Sequence, residues 1–160
     1  FIKIPWAIKN YYLYKNHFMK YRPLSNSFYI NSRKAFMAEL KPKSLAVFNS
    51  NDIYPIGADS TLPFEQHRDI FYLSGIDQEE SILVLFPNAY EKKQREILFI
   101  RKTDEHIAIW EGAKLTKAQA NDISGIQTIC WLEDFEAVFQ KLSTQCDTSI
   151  LILTNTTDNQ

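Results

Sequence analysis

The sequence predicts an α/β domain built on one mixed sheet with helices on both faces. Two observations lead to this fold class. Short apolar runs rich in Ile, Val and Phe recur from residue 45 onward, and helix start and stop signals stand between them. Such runs are typical of strands buried on both faces of a sheet, and their alternation with helices is typical of layered α/β folds. A chain of 160 residues is long enough to bury one core.

Seven apolar runs are predicted strands. They are Leu45–Phe48, Ile70–Leu73, Ile82–Phe86, Ile97–Ile100, Ile107–Trp110, Ile129–Leu132 and Ile150–Leu153. The polar segment Asn88–Arg95 stands between two strong runs, which predicts a hairpin connection.

The first predicted helix spans Asn31–Lys41. Asn31 or Ser32 is its expected N-cap, and Pro42 stands just past its end, where proline cannot continue a helix. The residues expected to face the core are Phe36, Met37 and Leu40.

Two further helices are predicted in the second half of the chain. Thr116 and Gln119 form a capping box, and Gly125 is placed to end the helix that it starts. The last helix follows an acidic first turn and carries apolar residues at i, i+3, i+4 and i+7. Those residues are Phe135, Val138, Phe139 and Leu142.

Composition excludes several classes of function. A net charge of −1 gives no global electrostatic case for nucleic-acid binding, and four widely spaced glycines form no phosphate-binding loop. The apolar run Ile82–Pro87 is too short to span a membrane. Cys130 and Cys146 form no CxxC motif, which favours a reducing compartment. We therefore expect a cytoplasmic protein that binds neither nucleic acid nor membrane.

The amino-terminal segment differs from the rest of the chain in charge. Residues 1–38 hold seven basic residues and no acidic one, and aromatic residues are interleaved with the first lysines. A basic arm that contacts nucleic acid or membrane is one interpretation. The alternative is that Met19 is the natural start. We expect the latter, with 1–18 a non-native or disordered leader and 19–160 the domain.

No catalytic centre stands out from spacing alone. Glu65, His67 and Asp69 place two acids and an imidazole within five residues, but a metal site needs further ligands, and a polar loop is the better interpretation. Cys130 lies in an apolar run with no neighbouring base to activate it.

Two other features are weighed in the same way. The aspartates at positions 52, 59, 69 and 77 are too irregularly spaced to predict a carboxylate metal site. Trp110 closes a predicted strand and is followed by Gly112, so a turn can leave its indole at a rim. Local packing and a binding surface both remain open for this side chain.

Two blocks of sequence resemble the amino-terminal domain of Xaa-Pro aminopeptidases (aminopeptidase P), relatives of prolidase and creatinase. The first is LAVFNSNDIYPIGADSTLPFEQHRDIFYLSGIDQEESILVLFP at 45–87, and the second is EILFIRKTDEHIAIWEGAKLT at 96–116. Residues that match the family pattern are Gln66, Asp69, Phe71, Tyr72, Leu73, Gly75, Glu80, Trp110 and Gly112. The chain departs from the pattern at Glu65 and at His67-Arg68, so polar contacts that family members make from this loop are not carried over to it.

The resemblance implies a six-stranded, ribonuclease H-like mixed sheet and no catalysis on this chain. In the family a separate pita-bread domain holds two metal ions, usually manganese, that activate a bridging water. None of its ligands maps onto this sequence. The implied partners are that catalytic domain, other copies of the same protein and short peptides with proline second. Trp110 is implied to rim the substrate cleft of a neighbouring subunit.

We therefore expect the non-catalytic amino-terminal domain of an Xaa-Pro aminopeptidase, which supports oligomerisation and restricts substrate access. Two alternatives stay open. One is a stand-alone interaction module, as in histone-chaperone subunits that have a related fold. The other is prolidase or creatinase specificity, against which the I-W-x-G block, Ile109–Gly112, argues.

Overall fold

The computed structural model describes residues 24–57, 61–102 and 114–146, and the backbone of residues 150–153. Within these residues five strands form one sheet: β1 Leu45–Asn49, β2 Ile82–Leu85, β3 Glu96–Ile100, β4 Thr128–Trp131 and β5 Ile150–Leu153. Four α-helices accompany it: α1 Asn26–Glu39, α2 Arg68–Ser74, α3 Lys117–Ser124 and α4 Phe135–Ser143.

The sheet is mixed, with strand order β4-β3-β2-β1-β5. The central pairs β1–β2 and β2–β3 are antiparallel, and the outer pairs β3–β4 and β1–β5 are parallel. The β2–β3 connection contains a 3-10 turn at Lys92–Gln94, so the predicted hairpin over Asn88–Arg95 is confirmed. The α/β class with a mixed sheet is also confirmed.

Alternate residues along the strands form the two halves of the core. On one face, strand residues such as Ala46, Leu83 and Leu98 pack with the helices α1, α2 and α3. On the other face, strand residues such as Val84 and Phe99 pack with α4. Strands covered on both faces consist of continuous apolar runs, which is why such runs in the sequence identify them.

One predicted strand is wrong. Ile70–Leu73 lies inside helix α2, with Ile70 and Leu73 buried against the sheet. A seven-residue helix makes only two turns, too few to show a helical period, so its four apolar residues resemble a buried strand. Of the other six predicted strands, five are confirmed, and Ile107–Trp110 lies outside the described residues. The sixth strand and the ribonuclease H-like arrangement stay predictions.

Helix α1 begins five residues earlier than predicted, and its N-cap differs from the expected one. Ser25 is the N-cap, and its hydroxyl accepts a hydrogen bond from the Ser27 amide. Ser32 instead lies in mid-helix and donates to the Phe28 carbonyl at 3.0 Å. The extra residues bring Tyr29 into the core.

Helices α3 and α4 are confirmed. Thr116 and Gln119 make both hydrogen bonds of the predicted capping box, and Gly125 ends α3 in the left-handed conformation. No helix in the described part of the chain combines the length and apolarity needed to cross a bilayer. The predicted leader, residues 1–18, lies outside the described residues.

Candidate functional site

The side chain of Gln66 ties together three backbone segments beside helix α2. Its Nε2 donates to the carbonyls of Ile76 and Gln78 at 3.1 and 2.8 Å. Its Oε1 accepts from the amides of His67 and Asn51 at 2.8 and 3.4 Å. The loop after β1, the start of α2 and the turn after α2 are therefore held by one amide. All four bonds are internal, so Gln66 organises the block of sequence around α2.

Helix α2 begins at His67, where the chain departs from the family pattern, and ends at the motif residue Gly75. His67 is the N-cap, and its Nδ1 accepts from the Asp69 amide at 3.3 Å. Gly75 terminates the helix with φ of 72°, and its amide donates to the Phe71 carbonyl at 2.7 Å. A Cβ on Gly75 would lie 2.5 Å from the ring of Tyr29. Glycine is required here both by the backbone conformation and by the ring above it.

An aromatic cluster covers the outer side of this helix end. Phe28 packs edge-on against both Tyr29 and Tyr72, with ring centroids 5.4 and 5.5 Å apart. Tyr72 is 55% exposed, whereas Tyr29 is buried, and burial raises the pKa of Tyr29. Beside Tyr72 an open groove of about 470 Å³ lies between α1 and α2. The residues lining it include Phe36, Glu39, Asp69 and Leu73.

A buried arginine links α2 to the sheet. The Arg33 Nε donates to Glu96 at 2.9 Å, and Nη1 donates to the Leu73 carbonyl at 2.8 Å, near the carboxyl end of α2. Burial lowers the pKa of the Arg33 guanidinium, and the neighbouring Glu96 carboxylate opposes that change. The pair fixes where α2 ends relative to β3.

The turn after α2 carries three polar residues in succession, Gln78, Glu79 and Glu80. Glu80, predicted from the motif, pairs with Arg101 at 3.0 Å and has a positive φ of 51°. Glu79 pairs with Lys114, and both side chains are about nine-tenths buried. Sequence reasoning missed Glu79, Gln78, Tyr29 and Arg33. A sequence signal was available for Gln78 and Glu79, because both are polar residues that come shortly before the strongly apolar strand β2.

The structure brings six of the predicted site residues together: Gln66, Asp69, Phe71, Tyr72, Gly75 and Glu80 all lie on α2 or its flanking turns. Trp110 and Gly112 lie outside the described residues. Asp69 is half exposed, and its Oδ2 lies 4.0 Å from the His67 Nδ1.

The described residues do not fit a metal centre. They contain no group of three or more His, Cys, Asp or Glu side chains that could hold an ion. Cys130 is partly exposed on β4, and burial raises the pKa of its thiol although Lys117 opposes that shift. A raised pKa keeps the thiol protonated, which disfavours nucleophilic chemistry.

Comparison with known proteins points to one family. The family model for the aminopeptidase P, N-terminal domain matches residues 29–152. The Xaa-Pro aminopeptidase of Escherichia coli K12 is 27% identical over 112 residues, which are 69% of this chain and 25% of that protein. Human Xaa-Pro aminopeptidase 3 is 28% identical over 98 residues, 60% of this chain and 19% of that protein. The chain thus spans a quarter or less of these relatives.

Solved structures agree with these matches. The Pseudomonas aeruginosa aminopeptidase PepP superposes with a TM-score of 0.69 at 25% identity, covering 75% of this chain and 27% of that one. A putative aminopeptidase P from Bacillus anthracis gives a TM-score of 0.73 at 24% identity, covering 82% of this chain and 31% of that one. The second likeness concerns the fold alone.

Proposed function

This chain belongs to the aminopeptidase P N-terminal domain family, and on that premise we propose that it is the non-catalytic amino-terminal domain of an Xaa-Pro aminopeptidase. The whole enzyme would release the first residue of peptides with proline second. The observation that carries the proposal is the family match over residues 29–152, together with the internal use of the motif side chains. Gln66 directs its amide to backbone groups, and Gly75 lies packed beneath Tyr29.

The role proposed for the domain is to support oligomerisation and to narrow the entrance to the active site. Trp110 is the residue proposed to act at that entrance, on a neighbouring subunit's cleft. An indole suits the task, because it presents a large flat apolar face to a proline-containing peptide at little cost in conformational entropy. We also propose a cytoplasmic location, in keeping with the two cysteines of the sequence, which form no CxxC motif.

The proposal places the metal ions of the enzyme outside this chain. Within residues 24–57, 61–102 and 114–146, no group of His, Cys, Asp and Glu side chains is arranged to hold an ion. Two manganese ions are proposed for the catalytic domain of the whole enzyme. The purified chain alone is expected to be inactive.

A stand-alone interaction module with the same fold is the competing function. The coding sequence after Gln160 discriminates between the two. A following segment with two Asp, one His and two Glu in a metal-binding arrangement supports the peptidase domain. A following segment that has no such ligand set supports the interaction module.

The direct test of the access role is Trp110→Ala in the complete enzyme. We expect kcat/KM for an Xaa-Pro peptide to fall by a factor equivalent to about 1–3 kcal/mol, the effect of losing one aromatic wall. The free energy of unfolding of the isolated chain should barely change. If Trp110 is a core residue instead, its truncation costs about 3–5 kcal/mol of stability, and the access role is wrong.

Trp131 is the matched control. It packs against the core cluster on the α1–α3 face, and the Lys117 ammonium lies 4.4 Å from its ring centroid. Trp131→Ala should therefore lower the stability of the chain while leaving the peptide specificity of the complete enzyme unchanged. The two tryptophans should give opposite patterns in the two measurements.

A further inference from the structure

Three consecutive side chains hold both ends of the connection between β3 and α3. Glu80 pairs with Arg101, the residue directly after β3, at 3.0 Å. Glu79 pairs with Lys114, and the Gln78 Oε1 accepts from the Leu115 amide at 2.7 Å. Lys114 and Leu115 come shortly before the N-cap of α3. The turn Gln78–Glu80 therefore bonds to the chain at two places, directly after β3 and shortly before α3.

The cost of burying these groups argues for a role in geometry. The Glu79 and Lys114 side chains are only 10% and 9% exposed. Removing two charges from water costs free energy that their mutual attraction offsets only when the geometry is good, so a buried ion pair contributes little net stability. Its strongest effect is on geometry, since any other position of Lys114 leaves a buried carboxylate without its partner.

The turn itself is firmly anchored. The Gln78 carbonyl accepts from the Gln66 Nε2 at 2.8 Å and from the Ser81 hydroxyl at 2.9 Å. Ser81 is joined to Ser50 at the end of β1 through hydrogen bonds of 2.9 and 3.1 Å. Glu80 keeps the left-handed φ of 51°, an unfavourable conformation for a residue with a Cβ. The side chains of Gln78, Glu79 and Glu80 therefore extend from a backbone turn that several hydrogen bonds hold in place.

We infer that the turn Gln78–Glu80 is a positioning element, which sets the ends of the connection between β3 and α3. In the sequence, Trp110 stands within that connection. The turn would therefore fix the two chain ends between which Trp110 stands. This second step rests on the function proposed for Trp110. The first step rests only on the contacts of the turn.

Limited digestion of the 160-residue chain with a glutamate-specific protease tests the first step. In the sequence, Glu105 and Glu111 stand between Arg101 and Lys114 and are the cleavage sites of interest. The reference sites are Glu39 on α1 and, at the start of α4, Glu133 and Glu136. For Glu79→Gln we expect cleavage after Glu105 and Glu111 to accelerate at least about fivefold relative to the reference sites, because Lys114 is no longer held by a carboxylate before α3. With the reversed pair Glu79→Lys and Lys114→Glu, the rates of cleavage after Glu105 and Glu111 relative to the reference sites should return most of the way to those of the unsubstituted chain.

Glu91→Gln is the matched control, because Glu91 makes exposed ion pairs with Lys93 and Lys141 at 3.1 and 3.6 Å. The same substitution there should leave the relative cleavage rates unchanged. The inference is overturned if Glu79→Gln leaves cleavage at Glu105 and Glu111 unchanged, or if it accelerates all sites equally, since that result reports general loss of stability. The inference is also overturned if the reversed pair cleaves after Glu105 and Glu111 as fast as Glu79→Gln does.

Kinetics of the complete enzyme test the second step separately. We expect Glu79→Gln to lower kcat/KM when Trp110 is present and to have no further effect in a Trp110→Ala background. If digestion gives the expected result and Trp110→Ala does not change kcat/KM, the turn remains a positioning element and the access role of Trp110 is wrong. If Trp110→Ala lowers kcat/KM but Glu79→Gln does not, the link between the turn and Trp110 is wrong.

Discussion

Two helices of this domain end in the same way, at Ser74-Gly75-Ile76 and at Ser124-Gly125-Ile126. In each turn the glycine has φ of 72° and its amide donates to the carbonyl four residues earlier at 2.7 Å. Each serine hydroxyl donates to a carbonyl of its own helix, at 2.6 and 2.7 Å, and accepts from the amide of the nearby isoleucine. Both isoleucines are fully buried.

The two turns differ in the side chain that lies over the glycine and in the segment that comes next. Tyr29 covers Gly75, and Ile30 covers Gly125, so adjacent residues of α1 cap the two turns. The second turn passes directly into β4. The first passes into a polar turn that Gln66 holds through two carbonyls. The same local motif therefore serves as a simple helix end in one place and as the base of a polar network in the other.

Substituting the glycines should separate the two turns most strongly. An alanine Cβ at Gly75 meets the buried Tyr29 ring at 2.5 Å, whereas at Gly125 it meets the Ile30 Cδ1 at 2.6 Å, the flexible end of a side chain. With backbone strain and overpacking combined, Gly75→Ala should cost about 3–5 kcal/mol and Gly125→Ala about 1–3 kcal/mol. Urea titration of both variants gives the comparison. Equal losses would mean that the covering side chains do not matter.

The Gln66 network should give the next largest effect. Gln66→Ala leaves the carbonyls of Ile76 and Gln78 without this donor, and should cost about 2–3 kcal/mol of unfolding free energy. Gln119→Ala is the matched control, since its side chain accepts hydrogen bonds from Thr116 in the exposed capping box of α3. This substitution should cost about 0.5–1 kcal/mol. A loss at Gln66 no larger than at Gln119 would show that the network adds nothing to the first turn.

A pH dependence should distinguish the turns by a smaller amount. Burial raises the pKa of Tyr29 above its ordinary value of 10.0. As the pH rises through about 10, a tyrosine of the unfolded chain loses its proton while Tyr29 in the folded chain keeps it, so stability falls with rising pH. Below that pH range, Tyr29 is protonated in both the folded and the unfolded chain, and its full contribution to stability is present. Tyr29→Phe keeps the ring over Gly75 and removes the ionisation.

The free energy of unfolding of both proteins between about pH 8 and 11 checks this expectation. The curve for Tyr29→Phe should decline less steeply than the wild-type curve. Burial also raises the pKa of Cys130, but that thiol is present in both proteins and cancels in the comparison. Parallel curves would contradict the assigned role of Tyr29.

The same pair of turns shows how far the sequence predicts this fold. Helix α3 is predictable because Thr116 and Gly125 mark both of its ends with ordinary cap residues. Helix α2 escapes prediction because its N-cap is a histidine and its centre is an apolar run of strand length. The sheet is predicted well because its central strands are covered on both faces and therefore consist of apolar runs.

The candidate site is predictable only as a set of residues. The family pattern selects Gln66, Gly75 and Glu80, and the structure places them around one helix. The contacts that explain these residues cannot be recognised from the sequence. Tyr29 lies 46 positions before Gly75 and Lys114 lies 35 positions after Glu79, and long-range contacts of this kind produce no local spacing pattern.

The most direct test of the proposed function is the hydrolysis of an Xaa-Pro peptide by the purified chain, with and without added manganese. Protein free of host peptidases is required, and the complete enzyme assayed in parallel supplies the reference rate. We predict no release of the amino-terminal residue by the chain alone under either condition, and metal-dependent release by the complete enzyme. Metal-dependent release by the chain alone, above the buffer control, would contradict its assignment as a non-catalytic domain.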